Sequence, residues 1–140
     1  MDNKSTSQNP FVYWFRVAIL LVSVILFIGL EFYLKNTLLF IPVIAPFAMA
    51  LGFSYMNYFK QHSSRLLVFI LPTLVLYSLG FYPWVSNYEQ VARSSSTASL
   101  DFVILPIWSI IYGFVLVGIY EFLRQIALYV RAKLQDKLWM

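Results

Sequence analysis

The sequence contains no cysteine among its 140 residues. Disulfides, thiolate metal sites and thiol nucleophiles are therefore excluded. The sequence also has only one histidine and six acidic residues, which leaves few groups for acid–base catalysis. The phosphate-binding and hydrolase motifs GxxxxGKS/T, HExxH and GxSxG are absent as well. We therefore expect a protein that is not an enzyme and that holds no metal or cofactor.

Charged residues are scarce, at 11% of the chain, whereas soluble domains carry roughly 25%. Hydrophobic residues make up 61% and include 13 Phe, 10 Tyr and 4 Trp. A soluble domain of this length could not hide so much apolar surface. The composition therefore predicts an integral membrane protein, whose solvent is lipid.

Four apolar runs have the length of transmembrane helices, since about 20 apolar residues cross a hydrocarbon layer of about 30 Å. Pro42 and Pro46 predict a kink in the second run. No helix breaker follows Pro106, so we expect the fourth run to continue as one helix into the C-terminal segment. The sequence predicts an all-α, single membrane domain over residues 1–140, with spans at about 11–34, 38–59, 66–84 and 102–123 and an amphipathic helix at 124–138.

Polar connections separate these runs. Residues 60–65 are expected to form a polar turn, and residues 85–100 contain a Ser/Thr-rich run that is expected to form the longest loop. Basic residues at such borders indicate topology, because loops rich in Lys and Arg stay in the cytoplasm. Lys35 and Arg93 fall on one side, and eight others fall on the opposite side: Lys4, Arg16, Lys60, Arg65, Arg124, Arg131, Lys133 and Lys137.

The charge asymmetry predicts that both termini are cytoplasmic, which suits four spans. In a bacterium the membrane would be the inner, or plasma, membrane. The net charge of +4 does not indicate nucleic-acid binding, because the basic residues lie at membrane borders and form no single basic stripe.

Two acidic residues lie close to the apolar runs. Glu121 has Arg124 three residues later, within reach on one helix face, so we expect an ion pair at the membrane interface. Acids near a span can also belong to an ion or proton path, and Glu31 is the other candidate for such a residue. Because both lie at span ends, interface pairing is favoured. His62, in the polar turn with no carboxylate nearby in sequence, is expected to be a surface histidine.

Small residues four apart form a shallow face on two of the predicted spans. Ala48 and Gly52 do so on the second, and Ser109 and Gly113 on the fourth. Close approach of helices at such residues drives association in lipid. These faces are predicted either to pack within the bundle, which is favoured, or to receive a partner.

The C-terminal segment has an apolar stripe at helical spacing. Arg124, Gln125, Arg131, Gln135 and Asp136 lie outside this stripe, and Lys137 intrudes on it. Such a helix can lie along anionic lipid, which is favoured, or bind a partner's helix. The stripe consists of Leu123, Ile126, Ala127, Val130, Leu134 and Leu138.

These observations leave two functional hypotheses. The first is a non-enzymatic accessory, assembly or regulatory subunit that binds a larger integral membrane protein. The expected partners are membrane lipids and either a larger integral membrane protein or a second copy of the chain. The alternative is a small oligomeric transporter or channel that uses Glu31 or Glu121. A lipid-directed enzyme would require a catalytic pair that the sequence does not supply.

Overall fold

The computed structural model describes residues 9–34, 40–86 and 100–138, and these residues are helical except for short connecting segments. The predictions about Lys4, Lys35, Arg93 and most of the 85–100 loop concern residues outside these ranges. The helices are α1 Pro10–Leu34, α2 Phe40–Phe53, α3 Asn57–Gln61, α4 Ser64–Ser86 and α5 Asp101–Leu138. The predicted all-helical class is confirmed.

Three helices, α1, α4 and α5, are long and apolar enough to cross a membrane, by length and composition. Large apolar side chains cover their outer surfaces. Ile25 of α1 is 67% exposed and Leu79 of α4 is 70% exposed. Side chains of this kind are stable against lipid and costly against water. These features are those expected of an integral membrane protein, and the structure is compatible with a membrane helical bundle.

The second predicted span differs from the prediction. Helix α2 has 14 residues and ends at Phe53, whereas the sequence predicted one helix over 38–59. At 1.5 Å per residue, α2 is about 21 Å long and is shorter than the hydrocarbon layer. The chain turns at residues 54–56, where the Ser54 hydroxyl donates to the Leu51 carbonyl over 2.6 Å. A local side-chain bond of this kind competes with the helix and helps to end it.

Helices α4 and α5 pack antiparallel along most of the length of α4. Gly80 approaches Leu105, and Arg65 contacts Glu121 at the other end. Between them, a Cβ atom on Gly113 would lie 2.8 Å from the Phe69 carbonyl oxygen, closer than atoms tolerate. Glycine at position 113 therefore allows α5 to approach the backbone of α4.

Helix α2 packs against α4 and α5 through aromatic side chains. The Phe53 ring makes edge contacts with Phe69 and Phe114, at centroid distances of 5.0 and 5.8 Å. Near the start of α2, the Tyr77 hydroxyl donates to the Val43 carbonyl over 2.8 Å. The centre of the core consequently lies between α2, α4 and α5, and the buried side chains Phe15, Ile19 and Leu30 of α1 belong to the same cluster.

Helix α1 lies at the periphery of this core. Its contacts with α2 include the Phe27 and Phe40 rings, 5.1 Å apart, and a bond between Arg16 and Ser54. These pairs show that α1 runs antiparallel to α2. The chain direction thus alternates through α1, α2, α4 and α5, and Arg16, Ser54, Arg65 and Glu121 fall at one end of the bundle.

Candidate functional site

The polar groups at this end of the bundle are organised by two arginines. The first, Arg16, comes from α1 and reaches the end of α2. Its Nε donates to the Ser54 hydroxyl over 2.8 Å, and its Nη2 donates to the Ser54 carbonyl over 2.7 Å. The guanidinium also lies 3.8 Å from the centroid of the Tyr55 ring, a cation–π contact.

The position of Arg16 follows from the way α2 ends. The last carbonyls of a helix have no donor within the helix, and that end carries partial negative charge. An arginine side chain can donate hydrogen bonds to these carbonyls, and its positive charge offsets the partial negative charge. Irregular backbone at membrane depth is tolerated only where its polar groups are bonded. Arg16 therefore caps α2 and stabilises the turn that follows it.

The second arginine, Arg65, lies in the first turn of α4 and is only 5% exposed. Its Nε lies 2.5 Å from Oε1 of Glu121. Its Nη1 donates to the Tyr58 carbonyl, and the guanidinium stacks 3.8 Å from the centroid of the Tyr58 ring. One side chain thus joins α3, α4 and α5.

The predicted pair between Glu121 and Arg124 is present at 3.5 Å, but Arg65 is the closer partner of the carboxylate. The sequence interpretation placed Arg65 in a polar turn and missed this contact. Helical spacing carried the signal, because positions 65, 69 and 73 share one face and Phe69 and Thr73 are both buried. Glu121 therefore lies between two guanidinium groups.

The side chains of the other titratable candidates, Glu31 and His62, form no hydrogen bond or ion pair with this cluster in the described ranges, although the His62 backbone carbonyl accepts from the Arg65 backbone N–H over 3.0 Å. Glu31 is exposed on α1, toward the opposite end of the bundle. His62 is half-buried in the turn between α3 and α4. Within residues 9–34, 40–86 and 100–138, no three His, Cys, Asp or Glu side chains are grouped as metal ligands would be.

The two small-residue faces lie in different environments and do not meet. Ser109 and Gly113 are buried against α4. Ala48 and Gly52 are exposed, and a Cβ atom on Gly52 would have no neighbour within 4 Å. The α2 face formed by Ala48 and Gly52 is therefore open to the surroundings of the bundle.

Polar side chains also occur inside the bundle, and of these the sequence interpretation had identified only Ser109, as part of a small-residue face. Besides the bond from Tyr77 to Val43, the Ser109 hydroxyl donates to the Pro106 carbonyl over 2.8 Å. Thr73 is fully buried, and its Oγ1 has no hydrogen-bond partner in the part of the chain that the structure describes. Two of these three hydroxyls are thus bonded to backbone.

The arrangement at the charged end can fix helices relative to one another. Each arginine bonds a carbonyl beside an aromatic ring, and the carboxylate of Glu121 is occupied by Arg65 and Arg124. Comparison with protein-family models, curated proteins and solved structures gave no match. The functional argument therefore rests on the residues of this chain.

Proposed function

We propose that this protein is a non-enzymatic accessory, assembly or regulatory subunit that binds a larger integral membrane protein. The observation that carries the proposal is the open α2 face at Ala48 and Gly52. Helices α1, α4 and α5 pack against the other sides of α2, yet no residue within 9–34, 40–86 or 100–138 covers this face. In lipid, such a face lets another helix backbone approach closely.

The bonding of Glu121 supports this proposal over a transporter or channel. A carboxylate on an ion path must exchange partners as the ion passes. Glu121 instead accepts from Arg65 at 2.5 Å and from Arg124 at 3.5 Å. A carboxylate held in this way between two helices is suited to fixing their relative position.

The charge distribution supports an orientation with both termini in the cytoplasm of a bacterial cell, across its inner membrane. Arg16, Lys60, Arg65 and Arg124 belong to the same end of the bundle. Helices α1, α2, α4 and α5 alternate in direction, as an even number of passes requires, with the short helix α2 as part of the second pass. Lys- and Arg-rich borders stay on the cytoplasmic side.

Affinity purification of the tagged protein in mild detergent tests the proposal. We expect a membrane protein to co-purify in fixed stoichiometry with the wild type and to be lost from the Gly52→Leu variant, whose own fold is unchanged. Gly29→Leu is the matched control, because a Cβ atom on Gly29 of α1 also meets nothing within 4 Å. That variant should keep the partner.

Three results would contradict the proposal. The first is a wild-type protein that purifies without any stoichiometric partner, and the second is a Gly52→Leu variant that keeps its partner. The third is ion or proton flux in reconstituted vesicles that Glu121→Gln abolishes while the fold remains intact. The third result would favour a transporter or channel.

A further inference from the structure

Helix α5 continues past the rest of the bundle as an extension that we call the α5 arm (residues 122–138). The Tyr120 hydroxyl donates to the hydroxyl of Ser64, the first residue of α4, over 3.0 Å. Helix α4 begins at Ser64 and therefore does not run beside α5 beyond Tyr120. Residues 125–135 of α5 are all exposed. Leu134 lies about 21 Å further along the helix axis than Tyr120, at 1.5 Å per residue.

The arm carries an apolar stripe that no part of the described chain covers. Leu123, Ile126, Val130 and Leu134 follow one another at intervals of three or four residues and are between 44% and 60% exposed. At this spacing they form one seam along the helix, as in helices that pair with another helix.

The edges of the seam carry charge of one sign. By helical spacing, Arg124 and Arg131 lie along one edge and Lys133 lies along the other, and no carboxylate occupies a flanking position. Flanking charges select the partner in helix pairing. A second copy would bring basic residues against basic residues in either orientation, so these edges disfavour self-pairing and fit a partner with acidic edges.

The direction of α5 argues against a lipid surface as the occupant. An amphipathic helix that binds lipid lies in the plane of the interface. The arm is a continuation of a membrane-crossing helix that is unbroken from Asp101 to Leu138, with no proline after Pro106. Without a break the arm follows the axis of the span, and even a typical tilt of about 20° carries it away from the bilayer.

We propose that the α5 arm binds, in the aqueous phase beside the membrane, an amphipathic helix of another protein whose apolar face is flanked by Asp or Glu. This inference rests on the proposed accessory role and adds the chemistry by which the partner is recognised. The seam provides apolar contact, and the basic edges select acidic residues.

The test uses the full-length protein in phosphatidylcholine nanodiscs and a synthetic helical probe. The probe has Leu and Ile at the seam positions and Glu at both edges, and a matched peptide has Lys at the edges. We expect the Glu peptide to bind and the Lys peptide not to bind. Arg131→Glu should weaken binding by about tenfold, because it puts like charges in contact. Lys60→Glu, the same charge change at an exposed residue outside the arm, should not.

Absence of binding, or equal binding of the two peptides, would overturn the inference. A wild-type dimer that the Val130→Asp substitution dissociates would also overturn the inference, since the seam would then be covered by a second copy. A spin label on Leu134→Cys in phosphatidylglycerol nanodiscs should be accessible to a water-soluble relaxation agent, and protection by lipid would also refute the inference. Co-purification tests the accessory role through Gly52, whereas peptide binding tests the α5 arm. If only the arm proposal is wrong, the partner still co-purifies but the Glu peptide does not bind.

Discussion

Arg65 and Glu121 are 56 residues apart in sequence, and the Nε of one lies 2.5 Å from the Oε1 of the other. This pair joins the first turn of α4 to α5 at the level where α5 leaves the bundle. Arg65 is nearly buried, so removal of its partner would leave a guanidinium with incomplete charge compensation.

We therefore expect Glu121→Gln to lower the melting temperature in mild detergent, and to lower it more than Arg124→Gln does. Arg124 is the more distant partner of the carboxylate, at 3.5 Å, and its side chain is more exposed than that of Arg65. If Glu121 paired only with Arg124 at the surface, as the sequence predicted, Glu121→Gln would leave the melting temperature almost unchanged. Equal melting temperatures for wild type and Glu121→Gln would show that the pair contributes nothing to stability.

The close approach of α4 and α5 at Gly113 predicts a strong effect of a larger residue. A Cβ atom there would lie 2.8 Å from the Phe69 carbonyl oxygen and 3.0 Å from the Phe69 ring. We expect Gly113→Leu to destabilise the fold by about 3 kcal/mol, the upper end of typical overpacking costs. Thermal unfolding should show this loss, and Gly52→Leu should unfold like the wild type. A stable Gly113→Leu variant would refute this packing.

Removal of the Thr73 hydroxyl is expected to increase the stability of the fold, unlike the two substitutions above. This hydroxyl is fully buried and has no hydrogen-bond partner among residues 9–34, 40–86 and 100–138. Thr73→Val keeps the shape and removes the polar group, so we expect it to stabilise the fold by about 1 kcal/mol. Thr73→Ser, which keeps the hydroxyl, is the control. Destabilisation by Thr73→Val alone would show that the hydroxyl is bonded after all.

The proposed orientation predicts the accessibility of two introduced cysteines, since the chain has none of its own. A membrane-impermeant thiol reagent should modify Ser95→Cys in intact cells and should leave Ser63→Cys unmodified until the cells are opened. The reverse pattern would place the termini outside.

Several elements of the fold could be predicted from the sequence. The apolar runs of α1, α4 and α5 are long, and length and composition alone identify such segments. The continuation of α5 to Leu138 followed from the lack of a helix breaker after Pro106. Local sequence patterns were therefore sufficient to predict the helices whose length depends on their own composition.

The end of α2 and the role of Arg65 could not be predicted in the same way. No charge interrupts the sequence between Phe53 and Lys60, and the turn at Ser54 is stabilised by Arg16, which is 38 residues away. Arg65 was assigned to a turn because of its polar neighbours, whereas its contact with Glu121 depends on how α4 and α5 pack. Local patterns encode only part of both features: helical spacing places Arg65 on a buried face, but its partner Glu121 and the bond from Arg16 to Ser54 are long-range contacts.

The central claim is that another membrane protein covers the open face of α2, and photo-crosslinking in native membranes tests it most directly. A photoreactive residue at Ala48 should form one discrete crosslink to a membrane protein. The same residue at Val24, an exposed position on α1, should react with lipid only. The claim would be contradicted if Ala48 and Val24 gave the same lipid adducts and Ala48 gave no protein crosslink.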